Sequence, residues 1–219
     1  MIPRFLFALC LAALATLPAA GQGRDRRGGV PGQFDFYVLA LTWSPAFCQA
    51  EGARRVSDQC GLKAQDAFVV HGLWPQYDRG FPTECGFGRN PTRSDMDKAM
   101  QVFPDEGLAR YEWRKHGTCA GGSPADYFEE VTVARGKVTI PEEFTRPVRA
   151  FSTTPLEVER AFVAANRGLR SDMMSVQCNR NVLREVRICF TRDLRSFVTC
   201  PEVNRSGCRA RDITVPVGR

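Results

Sequence analysis

The chain is predicted to fold as an α+β domain: a central, mostly antiparallel sheet flanked by helices, stabilised by disulfides as a single domain. Three observations predict this. Strand-like and helix-like segments are mixed without the regular βαβ alternation of a parallel sheet. One early segment is apolar on both faces, as a strand inside a covered sheet must be. Eight cysteines follow an N-terminal apolar segment, the usage of an exported protein. With 219 residues, 43% of them hydrophobic, the chain can build one sizeable core.

Residues 1–20 read as a signal peptide. Arg4 supplies a positive start, Phe5 to Leu17 form an apolar run, and Pro18, Ala19, Ala20 and Gly21 offer a cleavage zone of mostly small residues. The run is shorter than the roughly 20 residues of a membrane span, so no membrane anchor is expected. Residues 21–33, rich in Gly and Arg, read as a flexible leader, and 34–219 as the folded domain.

Phe34 to Trp43 is the doubly apolar strand, ended by Ser44-Pro45. Ala67-Phe68-Val69-Val70 predicts a second core strand that delivers His71 to its end. Residues 77–93 carry Gly, Pro and Asn and read as loop. Ser94 and Asp97 have capping-box spacing and predict a helix through Phe103. Residues 108–116 suit a helix closed by Gly117. Ser123-Pro124-Ala-Asp126 and Thr154-Pro155-Leu-Glu157 predict two more helix starts, the latter helix reaching Gly168. Val182 to Phe190 alternates as a strand, with Phe197-Val198 as the start of its hairpin partner.

Without residues 1–20 the cysteines are Cys48, Cys60, Cys85, Cys119, Cys178, Cys189, Cys200 and Cys208. They admit on the order of a hundred complete pairings, so connectivity stays open at this level. No two form C-x-x-C and only two histidines exist, which argues against structural zinc. The whole chain carries +6; beyond residue 20, 29 basic face 24 acidic residues, a net +5. That balance suits a polyanionic partner but is weak support by itself, since a bias toward arginine can reflect genome composition.

The two histidines sit in informative settings. His71 opens His71-Gly-Leu-Trp-Pro-Gln76, and His116 lies in Glu112-Trp-Arg-Lys-His-Gly-Thr-Cys119. On a helix, Glu112, Lys115 and His116 stand at i, i+3 and i+4 and share one face. Histidine exchanges protons near neutral pH, and lysine offers charge to a phosphoryl oxygen. An acid and a base on either side of one phosphorus are what RNA cleavage by its own 2′-hydroxyl requires, without metal or other cofactor. Each residue also has an ordinary explanation. A lone histidine at a strand end is often a structural hydrogen-bonding group, Glu112 with Lys115 a helix surface pair, and Trp74-Pro75 core plus turn.

These two segments resemble the active-site segments of the T2 ribonuclease family. The likeness extends to Phe34 through Pro45 followed by Cys48, and to Gln177-Cys-Asn179, Leu183-Arg-Glu-Val186 and Ile188-Cys189-Phe190, spanning about residues 34–208. The resemblance implies a secreted or periplasmic endoribonuclease acting on single-stranded RNA. It implies His71 and His116 as the proton-transfer pair, with His116 the base and His71 the acid in the first step. Glu112 and Lys115 would stabilise the phosphorane, and Trp74 would stack on or line the base site. It pairs Cys48 with Cys60, Cys85 with Cys119, and nests Cys189–Cys200 inside Cys178–Cys208. The chain departs from the family at Tyr111, where many members have a third histidine, at Thr42, where many have glutamine, and at Gln76, where some have an acidic residue. Tyr111 can still hydrogen-bond a phosphate. A monomer is expected, with RNA as the substrate; a secreted basic binding protein on the same scaffold is the alternative, and it predicts loss or replacement of a catalytic histidine, which this sequence does not show.

Overall fold

The computed structural model describes residues 26–51, 58–60, 68–86 and 88–218. The expected signal peptide lies outside them, as does the first part of the leader. No helix among the described residues is long and apolar enough to cross a membrane.

In chain order the elements are β1 (Arg26–Arg27), β2 (Phe36–Trp43), α1 (Ser44–Glu51), β3 (Phe68–Gln76), β4 (Pro82–Thr83), α2 (Arg93–Ala99), α3 (Glu106–Glu112), a π-helical segment (Trp113–Gly117), α4 (Thr118–Ala120), α5 (Pro124–Gly136), β5 (Phe151–Thr153), α6 (Pro155–Ala165), β6 (Met174–Asn179), β7 (Val182–Thr191), α7 (Pro201–Arg205) and β8 (Ile213–Val215). The sheet runs β3-β2-β7-β8-β5, with β6 also on β7. Every pairing in it is antiparallel except the short β7–β8 contact.

Strand β2 is buried along its whole length. Its odd-numbered residues, Tyr37, Leu39, Leu41 and Trp43, join the main core with Phe128, Val131, Val158 and Phe162 of helices α5 and α6. Phe36 and Val38 point the other way, into a smaller cluster with Cys189, Cys200 and Trp74. This division explains the doubly apolar pattern. Among the described residues the disulfides are Cys48–Cys60, Cys85–Cys119, Cys178–Cys208 and Cys189–Cys200, the pairing implied by the resemblance.

Several elements differ from expectation for identifiable reasons. Ser44-Pro45 ends β2 but opens α1, because proline's fixed φ and missing N–H are tolerated in a first helical turn. The second strand does not stop at His71; it continues through Pro75, which a sheet edge tolerates. Helix α2 is capped two residues early, by Thr92 with Asp95, and ends at Ala99 rather than Phe103. That register buries Met96 and Ala99. The boxes at Ser123/Asp126 and Thr154/Glu157 form as expected. Helix α6 stops at Ala165, short of Gly168, where the Asn166 side chain takes the Phe162 carbonyl and both backbone groups of Thr139. Phe197 makes a single bridge to Phe190. Residues 26–33, assigned by composition to the leader, are engaged: β1 pairs with β4, and Gly32 N–H donates to the Cys119 carbonyl at 2.9 Å.

Candidate active site

The site is assembled on the edge of the sheet where β3 meets the α3 region. Between Ala40 and Leu41 the β2–β3 register slips: Ala40 faces Gly72 and Leu41 faces Val70. His71 is the residue left over. Such a bulge turns one side chain out of strict alternation, a recurrent device beside functional sites. His71, Gly72 and Trp74 thereby crowd toward the same groups.

Helix α3 begins on the Asp105 cap, whose carboxylate accepts from Leu108 N–H. Beyond Glu112 the helix widens: Thr118 N–H reaches the Trp113 carbonyl, five residues back. The expectation that Gly117 closes the helix is not met: the chain stays helical through it. Its missing side chain makes room, since a Cβ there would collide with Trp113 and Tyr127. The turn ends four residues later at Gly121, with φ 94°. Widened helical turns of this kind concentrate at functional sites. The Cys85–Cys119 disulfide and the Glu84 N–H bond to the Lys115 carbonyl, 2.9 Å, tie this turn to the chain just after β4.

The expected residues come together around the Trp74 indole. Trp74 Nε1 donates to Glu112 Oε2 at 2.7 Å. The His71 ring lies edge-on to the indole at 5.2 Å, and the His116 ring tilts 31° from it at 5.3 Å. His71 Nε2 is 3.7 Å from Glu112 Oε1. Lys115 and Tyr111 sit together at the rim, the ammonium 5.5 Å from the ring centre, with the Arg114 guanidinium at 6.0 Å. Glu112 and His116 are buried, at 1% and 5% exposure, whereas Tyr111 is exposed.

Two participants, Glu185 and Arg187, were missed by reading the sequence, and Thr42 was noted there only as a departure from the family. Glu185 Oε2 lies 2.7 Å from His71 Nδ1 and accepts from Thr42 Oγ1 at 3.3 Å. Its Oε1 accepts from Arg187 Nε at 2.8 Å. The Arg187 guanidinium in turn lies over the Trp74 ring, 5.1 Å from its centre. One signal was available: Glu185 and Arg187 alternate with apolar residues inside a strand, and buried charges in such a place need partners.

These surroundings push the ionisable groups in opposite directions. Burial disfavours the His71 cation, yet the hydrogen bond and charge of Glu185, joined by the charge of Glu112, outweigh it and hold His71 above its ordinary value. Burial, then the charges of Lys115 and His71, push His116 down to about 3. Burial raises Glu112 to about 7 against the pull of His71, Trp74 and Lys115. Burial acts the same way on Glu185, but the His71 hydrogen bond and Arg187 bring it down to about 2. Nδ1 of His116 is buried with no hydrogen-bond partner among the described residues. The site thus favours the protonated form at one imidazole, His71, and the neutral form at the other, His116, with a lysine nearby. That set can give one proton, take another and stabilise negative charge between them.

A cleft of about 1390 Å³ leads away from His71, lined among the described residues by Thr42, Tyr111, Arg114, Arg184 and Arg187, with others.

The family model described as the ribonuclease T2 family matches residues 34–200. A protein named "Ribonuclease" from Aeromonas hydrophila is 36% identical over 181 residues, 80% of each chain. Among solved structures, the RNase-related protein from Calystegia sepium superposes with a TM-score of 0.69 at 22% identity, covering 85% of this chain and 99% of that one. Ribonuclease MC1 from bitter gourd seeds gives 0.63 at 19% identity, covering 82% and 99%. Both structural likenesses concern the fold.

Proposed function

Since the chain belongs to the ribonuclease T2 family and is an endoribonuclease of that type, we propose that it cleaves single-stranded RNA by transphosphorylation between His71 and His116. In the first step His116, neutral, accepts the 2′-hydroxyl proton as the 2′-oxygen attacks phosphorus. The bond from phosphorus to the 5′-oxygen breaks, and His71 donates its proton to that leaving oxygen. The products are a 2′,3′-cyclic phosphate and a free 5′-hydroxyl. In the second step His71 takes a proton from water as it attacks the cyclic phosphate. His116 returns its proton to the departing 2′-oxygen, leaving a 3′-phosphate. The first step is a lyase reaction, the second a hydrolysis, and neither routes through a metal.

The opposite protonation preferences of the two histidines carry this order of roles. A base must start neutral and an acid must start charged, and burial with Lys115 favours the first at His116 while Glu185 favours the second at His71. Lys115 and Glu112 stabilise the phosphorane, Glu112 as a hydrogen-bond donor when protonated. Trp74 and Tyr111 belong to the substrate side of the site, Trp74 by holding Glu112 through its Nε1–H and Tyr111, on the cleft wall, by hydrogen-bonding a phosphate. Action outside the cytoplasm fits four disulfides, which need an oxidising compartment, and the export-like residues 1–20.

Digestion of a defined RNA, with the ends sequenced, tests the reading. Cyclic phosphate followed by 3′-phosphate ends are expected, with EDTA without effect and 2′-deoxy substrate bound but uncut. Strong EDTA inhibition, or equal cleavage of the deoxy substrate, would sink it.

A further inference from the structure

We infer that Glu185 is the positioning residue of His71: its carboxylate holds the Nδ1–H and so turns Nε2 toward the scissile phosphate. The inference rests on the catalytic role proposed for His71, but its geometry stands alone. Nδ1 of His71 lies 2.7 Å from Glu185 Oε2, while Nε2 is on the side of Glu112. Glu185 is itself held by both oxygens, Oε1 by Arg187 and Oε2 also by Thr42. It is 7% exposed, so its direction is set by these partners rather than by water.

The arrangement is built across three neighbouring strands. Thr42 of β2 faces Glu185 of β7 in register, and the bulge releases His71 of β3 from the alternation on the far side of β2. A residue that fixes the tautomer and orientation of an imidazole acts on catalysis without touching substrate. The groups facing His71 are Glu185 and Arg187 from β7, Thr42 from β2, Trp74 from β3, and Glu112, with Lys115 and His116 beyond it, from the α3 region. Of these, Glu185 alone meets the Nδ1 edge at hydrogen-bond distance among the described residues.

The test compares the full chain with Glu185→Gln and Glu185→Asp, measuring kcat and KM for the dinucleotide ApU against pH. Neutralising the carboxylate should lower kcat by about 10- to 100-fold with KM little changed. It should also move the basic limb of the profile, where the acid loses its proton, downward by about one to three pH units. Glu185→Asp, which keeps the charge, should return that limb part of the way. A folded Glu185→Gln whose limb does not move overturns the inference, whatever its melting temperature. Should that variant not fold, ¹⁵N NMR of the unmodified protein decides: a neutral His71 with its proton on Nδ1 supports the assignment, and one with the proton on Nε2 overturns it. If the unmodified protein fails to cleave ApU at any pH, the proposed reaction falls, while the tautomer measurement still judges Glu185.

Discussion

The backbone at Gly72 passes so close to Glu112 that a Cβ there would fall inside the contact distance of its Oε2, and only 2.5 Å from Trp74 Nε1. Gly72 does not have positive φ. Its requirement is space for the Trp74–Glu112 hydrogen bond, not conformational freedom. Gly72→Ala should therefore fold but displace the Glu112 carboxylate. Misplacement of this size costs catalysis on the order of 100-fold. Steady-state kinetics with a circular dichroism spectrum check it, and an unchanged kcat would remove Glu112 from the reaction.

His71→Ala and His116→Ala should each lower kcat by about 10²- to 10⁴-fold, the range for a positioned acid or base. Their effects on stability should differ. His116 is nearly buried, so its truncation leaves a void and lowers Tm; the His71 side chain is 36% exposed and has less to lose by packing. Near-normal turnover in either variant would exclude that residue.

The histidines should titrate far apart. By NMR, His71 should change charge above 6.5, and His116 should stay neutral until about pH 3. Overlapping titrations near 6.5 would contradict the environments described.

Stability should follow a dome. Glu185 falls from 4.5 when unfolded to about 2 when folded, so its contribution is present above 4.5 and lost as pH drops toward 2. His116, lowered from 6.5 to about 3, works in the same direction, because the unfolded chain takes up a proton the folded one refuses. Glu112, raised to about 7, opposes them between 4.5 and 7, where its stabilising effect declines as pH rises. His71, raised, contributes below 6.5 and is lost as pH climbs through its folded value. Thermal melts should therefore show Tm falling steeply below pH 4.5, with a shallower slope in Glu185→Gln. A flat Tm down to pH 3 would contradict this.

Among the disulfides, Cys85–Cys119 spans 34 residues and Cys189–Cys200 only 11. Loop-closure entropy assigns them about 4 and about 3 kcal/mol. Replacing the first pair by serine should cost more stability in denaturant melts. It should also raise KM or lower kcat, since that bond anchors the turn carrying Lys115 and His116. Equal activity in both double variants would argue that the anchor is dispensable.

Much of this was legible in the chain itself, because it depends on residues close in sequence. The apolar character of both faces of Phe36–Trp43 requires cover on each, the Ser123 and Thr154 boxes announce their helices, and Glu112, Lys115 and His116 lie about one turn apart. Local chemistry also explains the small errors, such as the Thr92 cap, where two boxes overlapped. What only the tertiary structure decided is long-range. His71 and Glu185 stand 114 positions apart, and their contact needs the β3–β2–β7 register together with a one-residue bulge. The widened turn at Trp113–Gly117 depends on how Trp113 and Tyr127 pack around Gly117. Sequence spacing specifies which side chains a helix turn or a strand face presents, but a one-residue slip between strands reverses what they meet, and only the packed sheet selects the register.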